Sequence, residues 1–408
     1  MARLMNNSLF GLLFMLVLVS HGFCEIFDVS VEEYVKMKEF LASVNKTPVK
    51  TITTKNGDVF DCVDIYKQPS LDHPLLRDHV VQLEPPSYPP MKKLRRPSSY
   101  ITVMTDNDGE EDACPFGTVP MTRVHMEDLL KFGSVENYKS KYGRSGYNAL
   151  GQTEKHQYAV KETDGGPFYG TQVTMNVWNP VIDTSHHQLF SLAQLWVSNQ
   201  QGNDTDTVEV GWHVYPAFHR GSTTTRLFVF FTGNSYGPGS CYNSRCGFVQ
   251  VHNKITPGMT LPKVSKYGGT QENITISAYK NDTSGDWWVG YEDSNGYAPV
   301  GYWPKKLFKN LDKEANRIVW GGETDSYVSS GTTYAPMGSG HFASEGYRKA
   351  AYMSNMKIKD SSGKFVDAPS NLDSQTPMPN CYKLGDNSAD VATVGQHFYF
   401  GGPGGTCS

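Results

Sequence analysis

The chain of 408 residues carries 37 Lys and Arg against 41 Asp and Glu, a formal net charge of -4, and no run of basic residues long enough to track a phosphate backbone. A nucleic-acid partner is therefore excluded by charge. With 39 glycines, 23 tyrosines, 20 phenylalanines and only 19% charged residues, the composition favours strands and turns, and the length accommodates one large domain and a smaller one.

Arg3 precedes an apolar run from Leu9 to Val19 that is too short to span a bilayer as a mature helix, so residues 1–24 are expected to be a signal peptide. No later stretch is apolar enough to span, which predicts a mature protein without a membrane partner, in the secretory lumen, the vacuole or the extracellular space. Asn45, Asn203, Asn273 and Asn281 each open an Asn-x-Ser/Thr tripeptide and are candidate glycosylation sites in that compartment.

Ser30 and Glu33 predict a capping box ahead of Tyr34, Met37, Leu41 and Val44, whose spacing is that of an amphipathic helix. The Asn56-Gly57 pair in TITTKNGDVFDCVDIY predicts a hairpin. A small α+β unit thus opens the mature chain. The proline-rich stretch EPPSYPPMKKLRRPSS reads as an exposed linker, with Lys92, Lys93, Arg95 and Arg96 either a processing site or a solvated cluster. The glycine-rich break GRSGYNALGQ ends near residue 152, which places the first part at residues 25–152 and the second at 153–408.

The second part repeats short apolar segments between turn residues: FYGTQVTMNVW, HQLFSLAQLWVS, VEVGWHVYPAF, RLFVFFTG, GFVQVH, ITISAYK, DWWVGYE, RIVWGG and HFYFGG. This pattern predicts a mainly β fold, an antiparallel β-sandwich rather than a barrel. Of seven cysteines, Cys24 lies at the expected cleavage site. The simplest pairing of the other six is local: Cys62 with Cys114, Cys241 with Cys246, Cys381 with Cys407. None has zinc-knuckle spacing, so no metal and no cofactor is expected.

Two glutamates interrupt strand-like segments beside glycine and tryptophan. In VEVGWHVYP, Glu209 shares a face with Gly211, His213 and Tyr215, opposite Val208, Val210, Trp212 and Val214. In RIVWGGE, Glu323 shares a face with Val319 and Gly321, opposite Ile318, Trp320 and Gly322. Gln194 and Trp196 share a face in HQLFSLAQLWVS. Glycine beside each carboxylate leaves space for another backbone, as a bound peptide requires. Each glutamate by itself also fits an outward strand residue paired with a surface cation.

The two-part layout and the segments DCVDIYKQPSLDHPLL, CPFGTVP, WNP, VEVGWHVYP, SCYN, GFVQ, WGGE and MGSGHF resemble the neprosin family of plant proteins over nearly the whole mature chain. The resemblance implies a secreted precursor: an activation-peptide domain followed by a β-sandwich glutamic endopeptidase that cleaves after proline. It implies Glu209 and Glu323 as the catalytic pair, disulfides Cys241–Cys246 and Cys381–Cys407, and a contribution from Gln194 to the site. Peptide or protein substrates and the chain's own activation peptide are the partners it implies. Departing from a bare pair, Glu323 is followed closely by Asp325.

Two carboxyls in one site cannot both ionise easily, so they hold one proton between them at low pH. The ionised one can deprotonate water and the protonated one can donate to the carbonyl or the leaving nitrogen. Trp196, Tyr215, Trp287, Trp288 and Tyr291 are candidates to line a proline pocket, or else core residues. The competing enzyme readings are a serine hydrolase, for which GSGH around Ser339 lacks the required elbow, and a paired-carboxylate glycosidase. Outside enzymes, the alternative is a secreted β-sandwich module that binds cell-wall glycans or proline-rich proteins.

Overall fold

The computed structural model describes residues 13–20, 23–87, 112–141, 153–293, 296–328, 333–386 and 390–407. Lys92, Lys93, Arg95, Arg96 and the GRSGYNALGQ break lie outside the described residues. Within the apolar N-terminal run, Leu13–Ser20 pairs antiparallel with Phe23–Ser30. Among the described residues no helix is long and apolar enough to cross a membrane.

The helix Val31–Val44 follows at once, and half of the predicted capping box forms. The Ser30 hydroxyl accepts from the Glu33 amide, but the Glu33 carboxylate turns away to accept from the Val135 amide, tying this helix to a later one. The Asn56-Gly57 hairpin joins Lys50–Thr53 to Val59–Asp64, with Gly57 at φ +79°, a left-handed conformation that glycine adopts without cost. A third strand, Thr118–Thr122, completes this small sheet, and the Cys62–Cys114 disulfide fastens the loop between. Two short helices, Met126–Phe132 and Val135–Lys139, end the first part.

The second part is a sandwich of two antiparallel sheets. In the seven-stranded sheet the spatial order is Cys241–Tyr242, Arg226–Thr232, Asp204–Val214, Gln188–Gln201, Ala315–Val328, Thr153–Phe168 and Asp373–Gln375. The opposing sheet centres on Gly170–Asn176, Asn273–Lys280, Trp287–Asp293, Gly296–Trp303, Ala351–Lys359 and His397–Gly401. Several strands are far longer than the apolar segments that announce them. Thr153–Phe168 has 16 residues yet reads as polar in EKHQYAVKETD; Ala159 enters the core between the sheets, while Val160 and Tyr158 on the other face join the cluster under the N-terminal region.

Between the sheets lies one apolar core holding Val208, Val210, Trp212, Leu195, Ile318 and Trp320 from the first sheet and Ile276, Val173, Met353 and Phe400 from the second. Ile52 and Phe60 of the N-terminal sheet join this same core. The first part has only a small core of its own, Val63, Ile65, Val119 and Met121. Its helices bury Met37, Leu129, Leu130, Phe132 and Tyr138 against Leu192, Trp196, Tyr215, Phe228 and Phe230 on the outer face of the seven-stranded sheet. The face that parity marks as polar is thus covered by the chain's own N-terminal region.

Trp288 is a correction to the sequence reading. It is fully buried and stacked on Tyr302 at 4.5 Å, whose hydroxyl hydrogen-bonds His79 and accepts from the Gln82 amide of the first part, and Trp287 and Tyr291 are buried in the same cluster. Large aromatic area makes these residues core fillers on the sheet opposite the glutamates. The three cysteine pairs form as local pairing predicts. Of the glycosylation candidates, Asn203 and Asn273 are exposed. Asn281 is buried with its amide donating to Ser87, and the Asn45 amide donates to the Val124 carbonyl, so neither presents a free acceptor nitrogen in this fold.

Candidate active site

Register brings the two glutamates together. The strand Gln188–Gln201 lies between the two that carry them: Trp196 pairs with Glu209 on one side, and Leu192 pairs with Glu323 on the other. Gln194 sits midway, on the same face, because side chains alternate with period two. The glutamates therefore reach toward each other along a diagonal that passes over Gln194.

Both carboxylates are fully buried and share one cation. Lys141, the last described residue of the N-terminal region, donates from Nζ to Glu209 Oε2 at 2.6 Å, to Glu323 Oε2 at 2.8 Å and to Gln194 Oε1 at 3.2 Å. The two Oε2 atoms can be no farther apart than the first two distances added, so one small group can touch both. The ammonium also stands over the Trp196 ring at 5.5 Å. Burial disfavours the charged lysine, but Glu209 and Glu323 outweigh it and raise its pKa above the ordinary value.

The remaining partners differ between the two acids. Glu209 accepts from Gln194 Nε2 at 2.8 Å, from the Thr207 hydroxyl at 3.0 Å and from the Tyr236 hydroxyl at 2.9 Å, all neutral donors. Glu323 accepts from His156 Nδ1 at 2.7 Å. The other side of that ring, Nε2, faces Glu154 at 3.4 Å and Asp325 at 3.6 Å. Burial pulls the imidazole pKa down, yet Asp325, Glu154 and Glu323 together raise it to about 9. Burial alone would raise the Glu323 carboxyl, but Lys141 and then His156 hold it below the usual carboxylate range. Glu154, His156 and Asp325 bring ligand atoms within 4.8 Å of one another. An imidazolium among its counter-ions accounts for that arrangement.

The space that glycine was expected to leave for a ligand is taken by neighbouring strands. A Cβ on Gly211 would lie 2.0 Å from the Ala193 carbonyl oxygen, and one on Gly321, where φ is +145°, would lie 2.3 Å from that of Ala159. These glycines permit tight, twisted pairing beneath the acids. The opening lies elsewhere. A cavity of about 290 Å³ beside Glu209 is lined by Trp196, Tyr158, Val160, Val319 and Tyr236, with Arg317 and Glu162 at its far end.

Of the residues selected from sequence, Glu209, Glu323, Gln194 and Trp196 converge. Tyr215 shares their sheet face but is buried against Phe190 and under Phe132 of the N-terminal region, 6.2 Å away. Trp288 is on the other sheet. Sequence reasoning missed Lys141, His156, Thr207 and Tyr236. Parity carries a signal for Thr207, two residues before Glu209, and for His156 once its strand is recognised. Lys141 and Tyr236 come from loops, for which no periodicity exists.

Comparison with known proteins gives two family matches. A family model described as Neprosin covers residues 187–403, and one described as Neprosin activation peptide covers residues 51–162. Among solved structures, a scytalido-glutamic peptidase with a peptide-based transition-state analog is 12% identical, covers 61% of this chain and 98% of its own, and gives a TM-score of 0.36. SCP-B, a member of the eqolisin family of peptidases in complex with the tripeptide Ala-Ile-His, is 10% identical over 61% of this chain and 98% of its own, with a TM-score of 0.32.

Proposed function

This chain belongs to the neprosin family, with an activation-peptide region ahead of its peptidase domain, and on that premise we propose that it is a secreted glutamic endopeptidase made as a zymogen. The single observation that carries the reading is the bridge from Lys141 to both Glu209 and Glu323, which puts two buried carboxyls in one site and stoppers that site with the activation region.

With Lys141 withdrawn, the pair shares one proton at acidic pH. One glutamate takes a proton from water as the oxygen attacks the scissile carbonyl, and the other gives its proton to the leaving nitrogen. Gln194 Nε2, already aimed at the dyad, can donate to the developing oxyanion. Trp196, Tyr158 and Tyr236 offer an aromatic wall beside Glu209 for the flat ring of a substrate proline. Such a pocket supports cleavage after proline.

Latency and activation follow from the same contacts. In the zymogen the ammonium occupies the position that water and the scissile carbonyl need. Burial raises the Glu323 carboxyl, but Lys141 and His156 outweigh it and hold the group low, so it loses its charge when pH falls through its folded value, and the grip on Lys141 weakens there. The activation region has a second ionic tie, Asp58 to the buried Arg226 at 2.8 Å, which also needs an ionised carboxylate. Asp61 and Asp64 do not reach the peptidase domain: Asp61 pairs with Arg123 and Asp64 caps Tyr66. Acid in a vacuole or in the extracellular space is the expected trigger.

The test is cleavage of a proline-containing peptide by acid-treated protein, with product masses locating the cut. Glu209→Gln and Glu323→Gln are expected to lose at least 10³-fold in kcat with the fold intact, in line with the loss of an essential general acid or base. Turnover that survives in both variants would refute the assignment.

A further inference from the structure

The dyad is asymmetric, and His156 is the source of the asymmetry. Among the described residues, the partners of Glu209 other than Lys141 are Gln194, Thr207 and Tyr236, which carry no charge. His156 lies near the end of the activation-peptide match, residues 51–162, but its strand Thr153–Phe168 is paired on both sides within the seven-stranded sheet, with Ala315–Val328 and Asp373–Gln375, so Glu323 keeps this hydrogen bond when the segment carrying Lys141 leaves. When Lys141 leaves, Glu209 loses its cationic partner and Glu323 retains one.

We propose that His156 is a positioning residue that stays cationic and fixes the roles of the pair, making Glu323 the base that deprotonates water and Glu209 the acid that carries the shared proton. This rests on the glutamic-peptidase reading above and deepens it. In the reaction step, a water O–H proton passes to Glu323 as the water oxygen bonds to the scissile carbon and the carbonyl electron pair moves onto oxygen. Collapse of that intermediate breaks the C–N bond while the Glu209 proton goes to nitrogen. Glu323 ends protonated and Glu209 ionised, and transfer of one proton between them restores the starting state.

Several groups face this ring and its carboxylate. Glu154 lies on the His156 strand and Asp325 on the Glu323 strand, and both favour the imidazolium. Glu209 comes from the strand Asp204–Val214, Tyr236 from the loop after Arg226–Thr232, and Lys141 from the activation region. His213, whose pKa burial lowers well below its ordinary value, stays neutral in the same sheet face. Phe190 covers the His156 ring at 5.9 Å, so water does not screen the pair from that side. The pH at which His156 would lose its charge, about 9, lies far above the acidic range in which the dyad works.

The acid limb of kcat/KM reports the essential base of the free enzyme. In His156→Gln that limb is expected to move up by roughly 1–3 pH units, the size of the effect of one close opposite charge. In Asp325→Asn, which removes a negative charge beside the ring and leaves its positive charge in place, the limb is expected to move down. Opposite signs are the signature, because a purely structural defect lowers the rate without moving the limb in two directions. A limb that stays put in His156→Gln, or fails to fall in Asp325→Asn, overturns the proposal. If either variant does not fold, nitrogen NMR of the full chain decides it: both His156 ring nitrogens should be protonated at pH 7, and a neutral ring there refutes the idea. Activity retained in Glu209→Gln and Glu323→Gln would instead sink the peptidase reading itself, so the two failures are distinguishable.

Discussion

Gln194 and Lys141 are the residues whose roles can be separated most cleanly by substitution. Gln194 holds Glu209 with its amide nitrogen and Lys141 with its oxygen. Gln194→Ala removes one well-placed donor, and kcat at acidic pH should fall by roughly 10²- to 10³-fold with a smaller change in KM. Steady-state kinetics of the activated protein checks this. Lys141→Met keeps the length of the side chain and removes the ammonium, which leaves two buried carboxylates facing each other. The full chain should lose roughly 3–5 kcal/mol at neutral pH, read from denaturant unfolding. It should also release its activation region at a higher pH than the parent chain. Glu209 and Gln194 were readable from sequence because strand parity is a local rule. Lys141 was not, because a lysine on a short loop carries no periodic signal.

At the scale of elements, the helices of the activation region act as a lid built from apolar packing. Phe132 on the helix Met126–Phe132 meets Tyr215 and Phe218 of the peptidase domain edge to face, with centroids 6.2 and 6.3 Å apart. Tyr138, on the next helix and close before Lys141, stacks on Phe218 at 5.2 Å. These contacts aim the lysine. Phe132→Ala should cost roughly 3–5 kcal/mol of the full chain's stability, as for other buried phenylalanine truncations. In a titration of peptide cleavage against activation pH, the variant should unlock at higher pH than the parent. The hairpin at Asn56-Gly57 and the first helix were legible because turn chemistry and caps are local. The long strand Thr153–Phe168 was not, since most of its sequence is polar and its partners are distant in the chain.

For the whole molecule, the linked titrations bound the pH range of latency. The Glu323 carboxyl is held low, so its contribution is present above its unfolded value and lost as pH falls through the folded one. His156 is raised to about 9, so its contribution is full below its unfolded value of 6.5 and lost as pH rises through 9. By themselves these two groups favour the range up to about pH 6.5, but burial holds His213 and His219 neutral and lowers His252 to about 4, and the stability this carries is lost as pH falls below 6.5, so the maximum lies near pH 6.5. Thermal unfolding of the full-length Glu209→Gln chain, which cannot process itself by the proposed chemistry, should show its highest Tm near pH 6.5 and a decline toward acid and toward pH 9. A Tm that keeps rising into strong acid would contradict the linkage.

The sequence by itself determined that the chain is mainly β, that a small α+β region precedes a sandwich, which cysteines pair, and that Glu209 and Glu323 face away from the core. All of these follow from composition, period-two alternation, turn residues and motif resemblance, which are properties of neighbouring positions. Only the tertiary structure decided that the two acids meet over Gln194, that Trp288 is buried against Tyr302 on the opposite sheet, and that Lys141 and His156 supply unlike surroundings to two like carboxyls. Those facts depend on strand register and on which surface covers which, and the physical cause is burial. A carboxylate taken out of water must find its charge partners nearby in space, wherever they lie in the chain.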